Sequence, residues 1–471
     1  MINSQSCVIN RCCGSHKDSI AAYRLLRNDS WSEDDVVRAM SQACASNVSC
    51  LSHILLIGDT SELNFDNMSG RLSKYDTDFG PGTDSSMEFS LFVHPTLAVD
   101  AESYTPLGFA HVDIWSRKRD RADIPDRHVR PLEQKEAFKW ASGPEAADLT
   151  LPRSVRKTYV YDREGDIYEV ISRIKNSGSD LVVRSRINRH TEDGLLWDSV
   201  RACNPACTYE LVVRRKGEPT RTALMELRWL KTTIKSPVRK GGRESIEVTC
   251  VYTREVPGTT PDGVEPVEWK LLTTHDVGNV KEAMMIITWY KLRWLIEELF
   301  SVIKSRGMDV GEAQLESGKA MKKLIALSLY AALATMVAKM ALDASNEKMG
   351  ANVVFSEEQI VTLHVMMRHL HKESPKAKGG RNPYEKESMP WAAWIIARMG
   401  GWSGYEKAQG RPGYKTLSKG LDVFHTWHLA RTYCDPPQKD VYKVTMFASA
   451  NTPPLGDSLQ NRREMPPNVA V

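Results

Sequence analysis

The chain is 471 residues long, with 41% hydrophobic and 26% charged residues and 63 Lys or Arg against 59 Asp or Glu. That length excludes a peptide hormone or a disulfide-stapled mini-scaffold, and the composition excludes bulk disorder and collagen-like structure. A net charge of +4 does not by itself identify a polyanion binder, so the information lies in how charge is distributed along the chain.

Residues 18–27 (DSIAAYRLLR) predict a short helix capped by Asp18 or Ser19, and residues 32–46 a second, with SEDD supplying an N-cap and acidic first turn. The apolar run HILLI at 53–57, cut off by Gly58-Asp59-Thr60, predicts a buried strand finishing in a polar loop. Strands follow at 87–99 and 106–114. TYVY at 158–161 is another, again ended by an acid, Asp162. A helix is expected over 166–174 and a strand over 180–185. From 209 to 253 the pattern alternates with turn signals, which predicts an antiparallel β segment. Between Val212 and Glu255 this segment carries eleven Lys or Arg against five acids, a local excess that fits either a phosphate-binding surface or a solvated sheet face. EWKLLT at 268–273 predicts one more strand. Long helices are expected over 279–306 and 312–343, an exposed basic loop over 372–388, a short helix over 390–399 and a disordered Pro-containing tail.

Nine irregularly spaced cysteines suggest reduced thiols in a cytosol. Cys203 and Cys207 lack the second pair that tetrahedral zinc requires. The apolar stretch 324–342 is interrupted by Ser328, Tyr330, Thr335 and Lys339, as in a packed helix, so no membrane partner is expected.

Three acids stand where such a scaffold would expose them: Asp59 and Asp162 at strand ends, and Glu297 within the helix expected at 279–306. Two strand-end carboxylates and a third from a flanking helix can form an oxygen-rich site suited to Mg²⁺ or Mn²⁺. A pair of such ions would suit phosphoryl transfer. On an unbroken helix Tyr290, Arg293, Glu297 and Lys304, at spacings of three, four and seven, would share one stripe. A phenol, a guanidinium, a carboxylate and an ammonium on one face suit metal and phosphates; a salt-bridged solvated face is the alternative.

This series, with YDREGDIY around Asp162 and IGDT at Asp59, resembles the DDE transposases of the insertion-sequence four group. AAYRLLRN at 21–28, VVRSR at 182–186, EWKLLT, IARMGGW at 396–402 and RPGYKTLSKGL at 411–421 extend the likeness over roughly 15–430. The resemblance implies an α/β, RNase H-like (retroviral-integrase-like) catalytic core at 51–310 with an antiparallel β insertion near 205–267. It also implies a short N-terminal DNA-binding region at 1–50, a helical dimerisation region at 311–435 and a tail at 436–471. Asp59, Asp162 and Glu297 would be the catalytic and metal residues, holding two Mg²⁺ or Mn²⁺ ions. Tyr290, Arg293, Lys304 and Arg184 would contact DNA, and Trp269 would stack on a flipped base.

The expected activity is cut-and-paste transposition by cleavage, hairpin formation and strand transfer at transposon ends. DNA ends and target DNA would be the partners of a homodimer in the bacterial cytoplasm, at the nucleoid. Relatives carry a longer basic helical segment ahead of AAYRLLRN, so weak end discrimination is expected. The alternative is a truncated inhibitor forming inactive dimers with full-length transposase, and a structure-specific nuclease is a third reading.

Overall fold

The computed structural model describes residues 7–13, 15–73, 76–84, 86–119, 130–192, 194–213, 219–237, 245–304, 308–344, 349–373 and 381–434. Three helices open the chain: α1 (Ile9–Cys12), α2 (His16–Arg27) and α3 (Glu33–Val48). The N-cap of α2 is Ser15, whose hydroxyl accepts from Asp18 N–H at 3.2 Å, rather than Asp18 or Ser19. Ser32 and Asp35 close a capping box on α3.

Strands β1 (His53–Gly58), β2 (Ser61–Asn64), β3 (Ser90–Asp100) and β4 (Pro106–Trp115) follow, then helix α4 (Lys139–Thr150). The pair β5 (Arg156–Tyr161) and β6 (Asp180–Arg184) brackets α5 (Tyr168–Asn176). Short strands β7 (His190–Thr191) and β8 (Gly194–Leu195) lead to α6 (Leu196–Ala202). Next come β9 (Cys207–Val213), β10 (Arg221–Lys235), β11 (Ser245–Glu255) and β12 (Glu268–Thr273). The remainder is helical: α7 (Val280–Lys291), α8 (Trp294–Lys304), α9 (Gly318–Ala344), α10 (Glu357–Glu373), α11 (Met389–Met399), α12 (Glu406–Gln409) and α13 (Tyr414–Cys434).

The chain is a mixed α/β protein. Among the described residues twelve strands form one mixed sheet, in the order β2-β3-β1-β5-β6-β12-β11-β10-β7-β8, with β4 on β3 and β9 on β10. β1, β5 and β6 run parallel and their other pairings are antiparallel. The expected β insertion therefore extends the same sheet through β12 and β11.

Why β1 reads as an unbroken apolar run is clear from its two faces. Leu55 and Ile57 pack into a core with α7, α8 and α9, while Ile54 and Leu56 pack into a second core with α4 and α5. A strand covered on both sides has no solvent face to alternate toward. Long apolar α9 passes a length and composition test for a membrane span, yet 78% of its apolar window is buried inside the fold.

At the start of the parallel strands lies a polar chain. Arg156 Nη2 meets His275 Nδ1 at 2.9 Å, His275 Nε2 meets Thr158 Oγ1 at 2.8 Å, and Thr158 Oγ1 meets His53 Nε2 at 2.8 Å. Trp289 of α7 packs on both imidazoles, with ring centroids 5.1 Å from each.

The helix expected over 279–306 is interrupted. Arg293 N–H bonds to Tyr290 C=O at 3.1 Å, a tightened turn that ends α7 and lets α8 restart at Trp294. The chain divides into two units, residues 1–428 and 429–471; of the second, residues 429–434 are described, as the end of α13. The tail expected at 436–471 and residues 374–380 of the expected basic loop lie outside the described residues.

Candidate functional site

Asp59 directly follows β1 and Asp162 directly follows β5. Because these strands are parallel neighbours, with Ile57 paired to Val160, the two acidic residues stand at neighbouring strand ends on one end of the sheet. Asp59 Oδ1 accepts from Thr60 N–H at 2.7 Å, and Oδ2 accepts from Arg293 Nη1 at 2.8 Å. Asp162 caps the short turn Arg163–Gly165 and accepts from Glu164 N–H at 2.8 Å.

Glu297 joins them from the first turn of α8. Its Oε1 accepts from Arg293 Nη2, so one guanidinium bridges two of the three acids. Burial raises the Asp59 carboxyl to about 6, with Arg293 opposing and the charges of Asp162 and Glu297 reinforcing the rise. Arg293 is raised despite its own burial, because Tyr290, Asp59 and Glu297 all favour its charge.

The other expected residues are placed less uniformly. Tyr290 is buried at the end of α7, edge to face with half-buried Trp269 at 5.7 Å. Arg293 lies in the turn, and Lys304, partly open to solvent, ends α8. The unbroken helix expected to carry these residues is corrected to two helices: Tyr290 is buried at the end of the first, and Arg293 pairs with Glu297 across the turn into the second. Partial burial lowers the Lys304 ammonium, with Glu62 opposing. Arg184 ends β6 and donates to the Glu268 carbonyl at 3.1 Å.

An all-oxygen set of Asp59, Asp162 and Glu297 suits Mg²⁺ or Mn²⁺ in chemistry. In this geometry, however, Arg293 supplies the positive charge between Asp59 and Glu297. Among the described residues, no group of three His, Cys, Asp or Glu side chains stands close enough to hold an ion. A metal would therefore have to draw the acids away from Arg293.

Five of the eleven bases behind the local charge excess of the β insertion are described, and four of them are paired with acids. Arg221 pairs with Glu255, Arg228 and Arg254 with Glu226, and Lys231 with Glu247 and Asp276. The other bases of that segment, except Lys235, lie in 214–218 and 238–244, outside the described residues. A cavity of about 1680 Å³ runs from the turn after Asp162, lined by nine Lys or Arg against four Asp or Glu, with Arg117, Lys139 and Arg189 paired to Glu136, Glu164 and Asp166. Arg117, Lys139, Arg163, Arg186 and Lys235 come to it from separate elements, so no local run of charge marks it.

Its floor includes a buried ion pair. Asp166 accepts from Arg189 Nη2 at 2.6 Å and from the N–H groups of Arg186 and Ile187 at 2.7 and 3.1 Å. This ties the turn that follows Asp162 to the loop after β6. No family model matches the chain.

Proposed function

We propose that the chain is a DDE-type DNA transposase, a metal-dependent endonuclease and strand transferase. The observation that carries this reading is the placement of Asp59 and Asp162 at the carboxyl ends of adjacent parallel strands, with Glu297 joined to Asp59 through Arg293. Ligand sites of open α/β sheets lie at such strand ends. The strand order β4-β3-β1-β5-β6, antiparallel on one side and parallel on the other, supports the RNase H-like assignment.

Asp59, Asp162 and Glu297 would hold one or two Mg²⁺ or Mn²⁺ ions, which when bound supply Lewis-acid activation and neutralise charge on a phosphate. Arg293, released from the acids, would be free to meet a phosphate oxygen with charge-assisted hydrogen bonds. The basic cavity beside Asp162 supports a DNA backbone path to the acids. Trp269, half-buried beside Tyr290, could present its ring to an extruded base.

The reaction would begin when water attacks a phosphorus atom and the 3′ oxygen leaves as a hydroxyl. That hydroxyl attacks the opposite strand to close a hairpin, water opens it, and the same 3′ oxygen then attacks target DNA. Each step exchanges one phosphorus–oxygen bond for another. A homodimer would bring two ends together.

The test incubates the purified chain and its Asp162→Ala variant with the element's end DNA and Mg²⁺ on denaturing gels. Nicks and hairpins are expected from the unmodified chain alone, with DNA binding retained in the variant. Full nicking by Asp162→Ala would remove Asp162 from the chemistry and overturn the reading.

A further inference from the structure

The break between β1 and β2 is not a change of register. Gly58 pairs with Thr96 and Ser61 with Val93, so antiparallel counting places Asp59 opposite Pro95 and Thr60 opposite His94. Thr60 N–H bonds to Asp59 Oδ1 at 2.7 Å, which closes the short step between β1 and β2.

Thr60 is held from the other side as well. Its hydroxyl meets Nδ1 of His94 at 2.9 Å, and His94 is 1% exposed. The His94 ring stands edge-on to Trp140 at 4.7 Å, and Trp140 stands edge-on to Tyr161 at 4.8 Å. Tyr161 immediately precedes Asp162, and its hydroxyl donates to the Trp140 carbonyl at 3.3 Å. A Cβ at Gly58 would fall 2.9 Å from Tyr161 Cε1 and 3.2 Å from His94 Nε2, so only glycine lets both rings close beneath the strand end.

We propose that His94 is a positioning residue that sets the separation of Asp59 and Asp162, gripping one through Thr60 and bracing the other through Trp140 and Tyr161. Its consequence for metal binding rests on the phosphoryl-transfer reading; the grip itself rests on the ladder geometry.

The test uses the full chain with His94→Phe, His94→Asn, Thr60→Val and Thr60→Ser. Phenylalanine keeps the ring edge and loses the nitrogen, whereas asparagine can offer a polar atom near the place of Nδ1. Two readouts are taken: hydrogen exchange of the Thr60 amide without metal, and Mn²⁺ affinity by calorimetry. One hydrogen bond lost corresponds to about a tenfold effect. His94→Phe and Thr60→Val should accelerate Thr60 exchange and weaken Mn²⁺ binding by about that factor, with melting curves that stay cooperative. His94→Asn and Thr60→Ser should restore most of both. Unchanged Thr60 exchange in His94→Phe, or equal impairment in folded His94→Asn, would overturn the proposal. If the unmodified chain binds no Mn²⁺, or Asp162→Asn does not weaken it, the phosphoryl-transfer reading falls while the exchange measurement still decides the role of His94.

Discussion

Asp59→Asn should make the protein more stable. The Asp59 carboxyl titrates at about 6 in the fold against 3.8 in the ordinary case, chiefly because it is buried, so the folded chain prefers it protonated. Below pH 3.8 the group is neutral in both states and costs nothing; between 3.8 and 6 the unfolded chain releases the proton first. Each pKa unit is worth about 1.4 kcal/mol. Ionised Asp59 therefore costs the fold about 3 kcal/mol once the pH exceeds 6, even with Arg293 beside it. Asparagine imitates the neutral acid. Urea unfolding followed by tryptophan fluorescence should show the variant more stable by a few kcal/mol at pH 8, with the gain vanishing by pH 4. Mg²⁺-dependent cleavage should be lost, which is the exchange of stability for function expected of a charged site. A variant less stable than the unmodified chain at pH 8, or a gain that does not change with pH, would refute the reasoning.

Arg189→Met leaves the buried Asp166 carboxylate without its cation and should cost about 3–5 kcal/mol at pH 8 in urea unfolding. Asp166 is already raised by burial, and losing Arg189 raises it further, so the loss should shrink toward pH 5 as the acid protonates; an equal loss at both pH values would contradict this. Burial lowers His53 and His275 to about 4 and His94 to about 3, from 6.5. Their contribution is therefore present above pH 6.5 and lost as the pH falls toward 4, and their NMR signals should not titrate between pH 8 and 5.5 while the fold persists. Trp269→Ala should impair hairpin formation more than the first nick, since stacking is worth about 1–3 kcal/mol per base. Equal loss of both steps on denaturing gels would leave Trp269 a packing partner of Tyr290 only.

Much of the scaffold was legible because burial on both faces writes itself into composition. HILLI, TYVY and EWKLLT coincide with β1, β5 and β12, and the acid after each of the first two marks a strand end. What escaped depends on contacts distant in sequence. No Gly or Pro marks the interruption at Arg293, so a helical period ran unbroken through a turn whose guanidinium reaches Asp59, 234 residues earlier. The basic cavity gathers its charges from separate elements, so no local run of sequence marks it. His94 carried no signal at all, since its meaning depends on lying opposite Thr60 in the ladder.

The polar chain at the other end of the parallel strands has a direction. Arginine can only donate, so His275 Nδ1 must accept, its Nε2 carries the hydrogen, and the Thr158 hydroxyl receives it and passes its own to His53 Nε2. Each imidazole is thereby confined to one tautomer, and to opposite ones. A proton arriving at His53 reverses the Thr158 bond, whereas one arriving at His275 would sit between Arg156 and Asp180, whose Oδ2 lies 3.8 Å from His275 Nε2. Either arrival ends the fixed direction of the row beneath Trp289.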